Sequence, residues 1–586
     1  MKIMFHHFIL FISLIATEGC TTVLVGRNAT LDGSMLVSYG SDAHGTPDSR
    51  LVLIPSTTHK SGETRKIWED IEDYPRYVGK ERSPVYAPKP GQNISKPIGE
   101  IPEIVGATNS YYETSYGVVN SLGVAIGESS CSARLFGSPE RGAIMSIDEL
   151  SRIALERAST AKEAVQIMGD LAVKYGFYGV TRWSKKNPPH PVPLGGSNEG
   201  GEVLTVSDGI DGWVFHILSD GGKSAVWAAR RVPDDEATSC SNMFTLRVVN
   251  LNDQEHDEWM WSENMLDVAQ TNGWWNTTGK EEAFDFAAIF SSGEYHNKYY
   301  SGRRMWRVLS MLAPSMKLNP VYSSTNLLET QVYPWSVKPD QLVQVEDLTT
   351  IMRDVYENTS YDVTTAPGGG PWGTPARMDP WLSPTISGSW ERTISVFRTT
   401  FSYVVQLRPF LPGPLKAVVW YAPHSAIGSV YVPLYCGAGG GDDYLPEQYS
   451  VGNPSELNKD SAWWAHRYVT NIAYSRWNVM SNDVKAEQII WEERGLALQA
   501  QLDADYVAKK INETELYFKV REFATSMLDS WWKMPDKLIF KYADGYINTK
   551  DNFGQIDEHL YPDWWLKEVG YESGPGFGPE EGFNKL

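Results

Sequence analysis

Cys20 closes a short apolar leader and opens a strand–turn–strand segment, and that placement constrains the fold more than any other feature of the chain. Thr21 to Gly26 reads as a strand, Asp32-Gly33 as a turn and Ser34 to Tyr39 as the returning strand, so a hairpin carries Cys20 at its edge. Ahead of it stand Lys2, a run from Ile3 to Ala16 that is apolar apart from His6, His7 and Ser13, and then Thr17-Glu18-Gly19. The run is short for a membrane span and has the layout of a secretory leader. Cleavage after Gly19 sets Thr17 and Gly19 at the two small-residue positions. Cleavage after Ala16 instead leaves a three-residue propeptide that Cys20 must release itself. A lipoprotein anchor is a third reading, which Glu18 fits poorly, and an ordinary cysteine at the start of a strand is a fourth.

Removal of the leader at Gly19 puts a thiol and a free α-amine on one residue. Their ordinary pKa values, about 8.5 and about 7.7 to 8.0, lie close enough for the amine to take the thiol proton near neutral pH without a histidine. Attack on a carbonyl then gives a thioester, provided backbone N–H groups or an amide side chain hold the oxyanion.

A chain of 586 residues with 42% apolar residues, 22 Trp and 30 Tyr predicts a large core. No linker divides it, so we expect a leader over 1–19, one large domain with insertions over 20–570, and a flexible tail over 571–586. The net charge of -20 opposes a nucleic-acid partner. Past the leader no stretch of about 18 apolar residues occurs, which predicts no stable membrane insertion once the leader is gone. The sequence leaves a monomer and a homo-oligomer both open.

Three cysteines besides Cys20 (Cys131, Cys240, Cys436) allow at most one intrachain bridge, and spacing does not say which. Sequons at Asn28, Asn93, Asn276, Asn358 and Asn512 would accept glycans in a host with an endoplasmic reticulum. The chain has no Gly-x-Ser-x-Gly elbow, no His-Glu-x-x-His and no paired His/Cys spacing for zinc, so neither a metal site nor a cofactor is expected. His216 and His424 read as structural residues.

Helical spacing runs from Ile147 to Ala158. A second helix starts at the capping-box pattern of Thr160 and Glu163 and stops at Gly176. Strand signals return at 213–217, 225–230, 393–407, 417–421 and 429–435, and long helical patterns cover 483–510 and 514–532. A Pro-rich stretch from Tyr74 to Pro102 reads as a surface excursion, and 116–129 as a hairpin through Asn120-Ser121. The order predicts a layered α+β domain with two sheets between helical layers. Asp42 follows the second strand, where a carboxylate would meet the Cys20 end of the sheet or simply form a turn.

The segment from Cys20 to Tyr39, the blocks 116–129, 154–178, 227–235, 361–375 and 392–412, and Tyr431 to Gly437 together resemble the C69 dipeptidases, the secernin-related branch of the N-terminal nucleophile hydrolases. The resemblance runs colinearly over nearly the whole chain. It implies a four-layer αββα fold, a terminal cysteine exposed by self-processing or by signal peptidase, and metal-free hydrolysis of short peptides. It also implies Cys20 as nucleophile and amine base, Asp42 as a site carboxylate and Asn242 as a candidate oxyanion donor. Two departures stand out: many relatives have Arg where this chain has Tyr39, and the Arg expected three residues after Asn242 is Thr245 here. Arg231 or Arg247 is then the candidate partner for a substrate carboxylate, and Glu128 and Ser129 are candidate pocket residues.

The resulting expectation is a secreted or lumenal thiol dipeptidase. An amidohydrolase of N-acyl amino acids, of the penicillin-acylase or bile-salt-hydrolase type, keeps the same fold with another substrate. A catalytically silent binding protein is the reading from another class.

Overall fold

The computed structural model describes residues 19–43, 47–69, 73–92, 94–182, 198–276, 283–293, 300–321, 333–365, 367–376, 391–437, 444–551 and 561–573. The leader up to residue 18, the sequon at Asn93 and all but the first three residues of the expected tail lie outside them.

The first hairpin forms where the alternation of turn and apolar residues puts it. Strands Thr21–Val25 and Met35–Asp42 pair antiparallel, with Thr21 opposite Gly40 and Val25 opposite Leu36. Every residue of both is buried, because the hairpin lies inside the molecule with structure on each face. On either side of it run Ala237–Cys240 and Thr399–Leu407, and the seven-stranded sheet is completed by Ser336–Val337 at one edge and by Ala417–Ala422 and Val432–Tyr435 at the other.

An eight-stranded antiparallel sheet lies against it, in the order Trp259–Trp261, Ala225–Arg231, Gly212–Ser219, Gly201–Ser207, Ala125–Cys131, Gly117–Asn120, Tyr111–Glu113, Val52–Ile54. The inner faces meet closely. Thr22 Oγ1 lies 2.6 Å from Thr205 Oγ1, and the Tyr403 hydroxyl donates to the Ile126 carbonyl at 2.5 Å. Gly127 sits at the tightest approach, where a Cβ would come within 2.3 Å of Thr22 Oγ1.

Helices Ile147–Arg157 and Ala161–Tyr175 cover the outer face of the eight-stranded sheet. The second is capped by Thr160, whose hydroxyl accepts from Glu163 N at 3.1 Å, but the Glu163 carboxylate turns back to Ser159, not to the Thr160 N–H. On the other side Val345–Arg353 packs on Met35–Asp42 and Thr399–Leu407, and Trp477–Val507 and Glu513–Trp531 pack on Val432–Tyr435. The architecture is therefore α+β, with two antiparallel sheets between helical layers. Buried apolar side chains from Cys20 to Tyr542 form one contiguous cluster. No helix among the described residues is long and apolar enough to cross a membrane.

Two expectations are corrected. The strand read from Thr393 begins at Thr399, and the residues before it form the loop that carries Arg392 and Arg398. The excursion from Tyr74 is not merely superficial: Arg76 and Tyr86 are buried in it, joined at 2.7 Å, and Arg76 approaches Asp48 and Glu113. Buried guanidiniums need carboxylate partners, and here they find them across chain segments that local patterning does not link.

Candidate active site

Cys20 stands at the head of the inner strand Thr21–Val25, still joined to Gly19, and both residues are buried. Its Sγ lies 3.3 Å from the Tyr39 hydroxyl, and that hydroxyl donates to Glu128 Oε2 at 2.9 Å. With its hydrogen given to Glu128, the Tyr39 oxygen is free to accept from the thiol, which is also within reach of Glu128. Burial raises the Tyr39 pKa well above the usual phenol range, and the neighbouring Cys20 and Glu128 add to it. Burial likewise raises the Glu128 carboxyl, against the hydrogen bonds it makes with Glu202, Tyr39 and Cys20.

Asp42 ends the second strand, where the hairpin returns it to the Cys20 end, as its place in the sequence suggests. Its backbone carbonyl accepts from Gly19 N at 3.2 Å. Its carboxylate is held by Arg392 and by the Thr399 hydroxyl, and Arg398 donates to its backbone carbonyl at 3.2 Å. Burial alone would lower the Arg392 pKa, but the Asp42 charge outweighs it and keeps the guanidinium charged.

The Gly19 carbonyl lies between two guanidiniums, Arg392 Nη2 and Arg304 Nη1, the second at 3.3 Å. Arg304 Nη1 also donates to the Cys20 carbonyl at 2.6 Å, and its Nη2 donates to Asn242 Oδ1 at 2.6 Å. Burial and then the nearby Arg392 charge push its pKa down to about 10, which leaves it protonated at neutral pH. A side chain at position 19 has no room here: a Cβ would lie 2.2 Å from the Tyr300 hydroxyl and 2.8 Å from Arg392 Nη2.

Asn242 adopts a left-handed backbone (φ 59°), which asparagine tolerates better than most residues. Its amide nitrogen donates to the Ser130 carbonyl at 2.8 Å, and its backbone N–H donates to Ser129 Oγ at 2.7 Å. Ser129 in turn donates to the Cys20 carbonyl at 3.2 Å. Cys20, Asp42, Asn242, Glu128 and Ser129, all picked from sequence, therefore converge. Glu128 and Ser129 lie within Ala125–Cys131.

Arg231 and Arg247 do not join them, which corrects their assignment as carboxylate partners. Arg231 binds Asp211 and Asp234, each at 2.6 Å. It shares Asp234 with Arg27, beyond the Val25 end of the strand that begins next to Cys20, about 17 Å of extended chain away. Arg247 pairs with Asp285 at 2.7 Å.

Sequence reasoning missed Arg304 and Arg392. Arg304 had a signal: in helix Ser301–Leu312 it falls on the face of Met305, Val308, Leu309 and Leu312, an arginine at a core-facing position. Arg392 had none beyond opening a block that resembles relatives.

The other three thiols are buried and not joined by disulfides. Burial pushes Cys240 and Cys436 up to about 12 and raises Cys131 well above the usual thiol range, so none is a thiolate at neutral pH. A cavity of about 660 Å³ opens beside Asp42, lined by Arg398, Thr399, His424, Trp463, Arg467 and Tyr474. The Arg467 guanidinium stacks over Trp463 and Trp464 at 4.6 and 4.8 Å, and among the described residues it makes no ion pair.

An α+β sandwich that gathers a thiol, a buried carboxylate and two guanidiniums around one peptide carbonyl has the groups that an amide-bond hydrolase needs. The chain belongs to peptidase family C69, whose family model matches residues 19–184 and 194–489. It is similar to a probable dipeptidase of Latilactobacillus sakei, 23% identical over 466 residues that cover 79% of this chain and 82% of that protein. It is also similar to dipeptidase A of Lactobacillus helveticus (21% identical, 90% of this chain and 96% of that protein) and to a dipeptidase of Bifidobacterium longum (21% identical, 80% of each).

Proposed function

We propose that the protein is a cysteine-type dipeptidase of the N-terminal nucleophile class, secreted or lumenal, whose leader is removed to leave Cys20 as the first residue. One observation supports the reading: the Gly19–Cys20 peptide carbonyl lies between the guanidiniums of Arg304 and Arg392, next to the residue that bears the thiol. The dipeptidase names of the relatives support the substrate class.

In the mature enzyme the Cys20 α-amine accepts the thiol proton and the thiolate attacks the substrate carbonyl carbon. The oxyanion is stabilised by Arg304, positioned by Asn242. Collapse breaks the C–N bond, the ammonium of Cys20 protonates the leaving amine, and a thioester remains. Water, deprotonated by the same amine, then hydrolyses the thioester and frees the thiol. The substrate carboxylate is taken by Arg467, which stacks on Trp463 and Trp464 and makes no ion pair among the described residues.

The test is a panel of dipeptides against N-acyl amino acids, run on protein whose first residue has been established by terminal peptide mass. Hydrolysis of free-amine dipeptides by a chain beginning at Cys20 is the expected result. Turnover of N-acyl amino acids alone would sink the dipeptidase reading in favour of an amidohydrolase.

A further inference from the structure

The α-amine cannot serve as base for the step that creates it. While Gly19 is attached, the Cys20 nitrogen is an amide with no basic lone pair, yet the bond to be cut is buried with both its residues, out of reach of an external peptidase in the folded chain. Release of the leader after folding therefore needs a proton acceptor already inside the site.

Resting on the nucleophile reading above, we propose that Tyr39 and Glu128 form a proton relay that serves as the base for self-cleavage at Gly19–Cys20, a role the α-amine takes over once it exists. The distances permit the transfer. The Tyr39 hydroxyl gives its hydrogen to Glu128 Oε2 at 2.9 Å and offers its lone pair to the thiol at 3.3 Å. In the step the thiol proton passes to the Tyr39 oxygen and the phenolic proton to Glu128, while Sγ bonds to the Gly19 carbonyl carbon. The carbonyl oxygen, held by Arg304 and Arg392, takes the negative charge. Collapse breaks the bond to the Cys20 nitrogen, which recovers the proton from Glu128 through Tyr39, and leaves the leader as a thioester on Cys20. Water then releases the leader as a carboxylic acid and the thiol reforms, so atoms and charge balance.

Three features suit the relay to this work. Glu202 stands opposite Ser130 on the neighbouring strand, two residues from Glu128, and burial holds the Glu128 carboxyl above the usual carboxylate range, which favours its taking up a proton. Ser130 Oγ donates to Glu128 Oε1 at 3.2 Å and fixes the carboxylate plane. The Tyr39 ring is wedged against Tyr116, Phe401 and Tyr403 at 5.4 to 6.1 Å, which holds its hydroxyl between thiol and carboxylate.

The test uses the full chain made by cell-free translation without membranes, so that signal peptidase is absent, and follows loss of residues 1–19 by terminal peptide mass over time. Wild type should cleave itself, and Y39F and E128Q should each slow the cleavage about 100-fold. The same substitutions are then read on a chain started at Met-Cys20, where the initiator Met is removed by an aminopeptidase. There the loss of dipeptide kcat/KM should be at least tenfold smaller than the loss of cleavage rate. A structural role would lower both equally, and that result overturns the proposal, as does a slowing of cleavage by less than tenfold or a wild-type chain that does not cleave itself. If Y39F fails to fold, judged by its melting transition, the isosteric E128Q carries the test alone. A wild-type Met-Cys20 chain that hydrolyses no dipeptide would end the dipeptidase reading while leaving the cleavage arm decisive for the relay.

Discussion

The carboxylate of Asp42 is clasped by the guanidinium of Arg392, 350 residues further along the chain, and the same guanidinium binds the carbonyl of the peptide bond in front of Cys20. Both partners are only 2% exposed, so neither charge is solvated and each depends on the other. Removing one of them should be far worse than removing both. We expect R392M to destabilise the protein by about 3 to 5 kcal/mol and the D42N/R392M double variant to recover part of that loss. Denaturant melts of the four species in the cycle measure the coupling.

Replacement of Cys20 by Ala should abolish peptide hydrolysis and leave the fold standing. The change removes one sulfur atom from a buried position, at a cost of about 1 kcal/mol. The melting temperature and activity of C20A, measured side by side, check this. A C20A protein that retains wild-type turnover would remove Cys20 from the mechanism.

Gly19 is held where a Cβ would strike the Tyr300 hydroxyl and Arg392. G19V should therefore slow maturation at least about tenfold, since the scissile carbonyl can no longer sit between the two guanidiniums. Time courses of terminal peptide mass for G19V and wild type give the answer. Equal rates would mean that the described docking is not the cleavage geometry.

Arg467 lines the cavity with its guanidinium stacked on two indole rings, and R467M should raise KM for dipeptides about 10- to 100-fold with little change in kcat, the size of a charge-assisted hydrogen bond. Dipeptide amides, which lack the carboxylate, should lose nothing. Steady-state kinetics on a dipeptide and its amide make the comparison, and an equal KM change for both would exclude carboxylate recognition.

Acid stability should hinge on Glu149. Burial opposes its ionisation, but Arg65, Arg152 and Arg82 outweigh that and lower its pKa to about 2. A depressed folded-state value means that the unfolded chain binds the extra proton, so this stability is present above about pH 4.5 and is lost as pH falls towards 2. The shift corresponds to roughly 3 kcal/mol. Melting of E149Q and wild type between pH 2 and 6 should show the wild type losing its advantage across that window.

Local chemistry settled a good part of this protein. The alternation of apolar residues around Asp32-Gly33 determined the first hairpin, and the hairpin determined that Asp42 returns to Cys20, because antiparallel pairing leaves no other place for the strand's end. The helices at 147–157 and 161–175 followed from their spacing and from the Thr160 cap, and the colinear resemblance gave the family. Tertiary structure alone decided which arginines matter. Arg231 and Arg247 are near the site residues in sequence yet pair with Asp234 and Asp285 elsewhere, while Arg304 and Arg392 arrive from a helix and a loop far along the chain. A buried guanidinium goes where a carboxylate or carbonyl will hold it, and that partner is set by packing between sheets, not by neighbouring residues. The same is true of Tyr39. In the sequence it was a mismatch with relatives, and only the second sheet, by bringing Glu128 to its hydroxyl, gave it a proton acceptor and the thiol a neighbour.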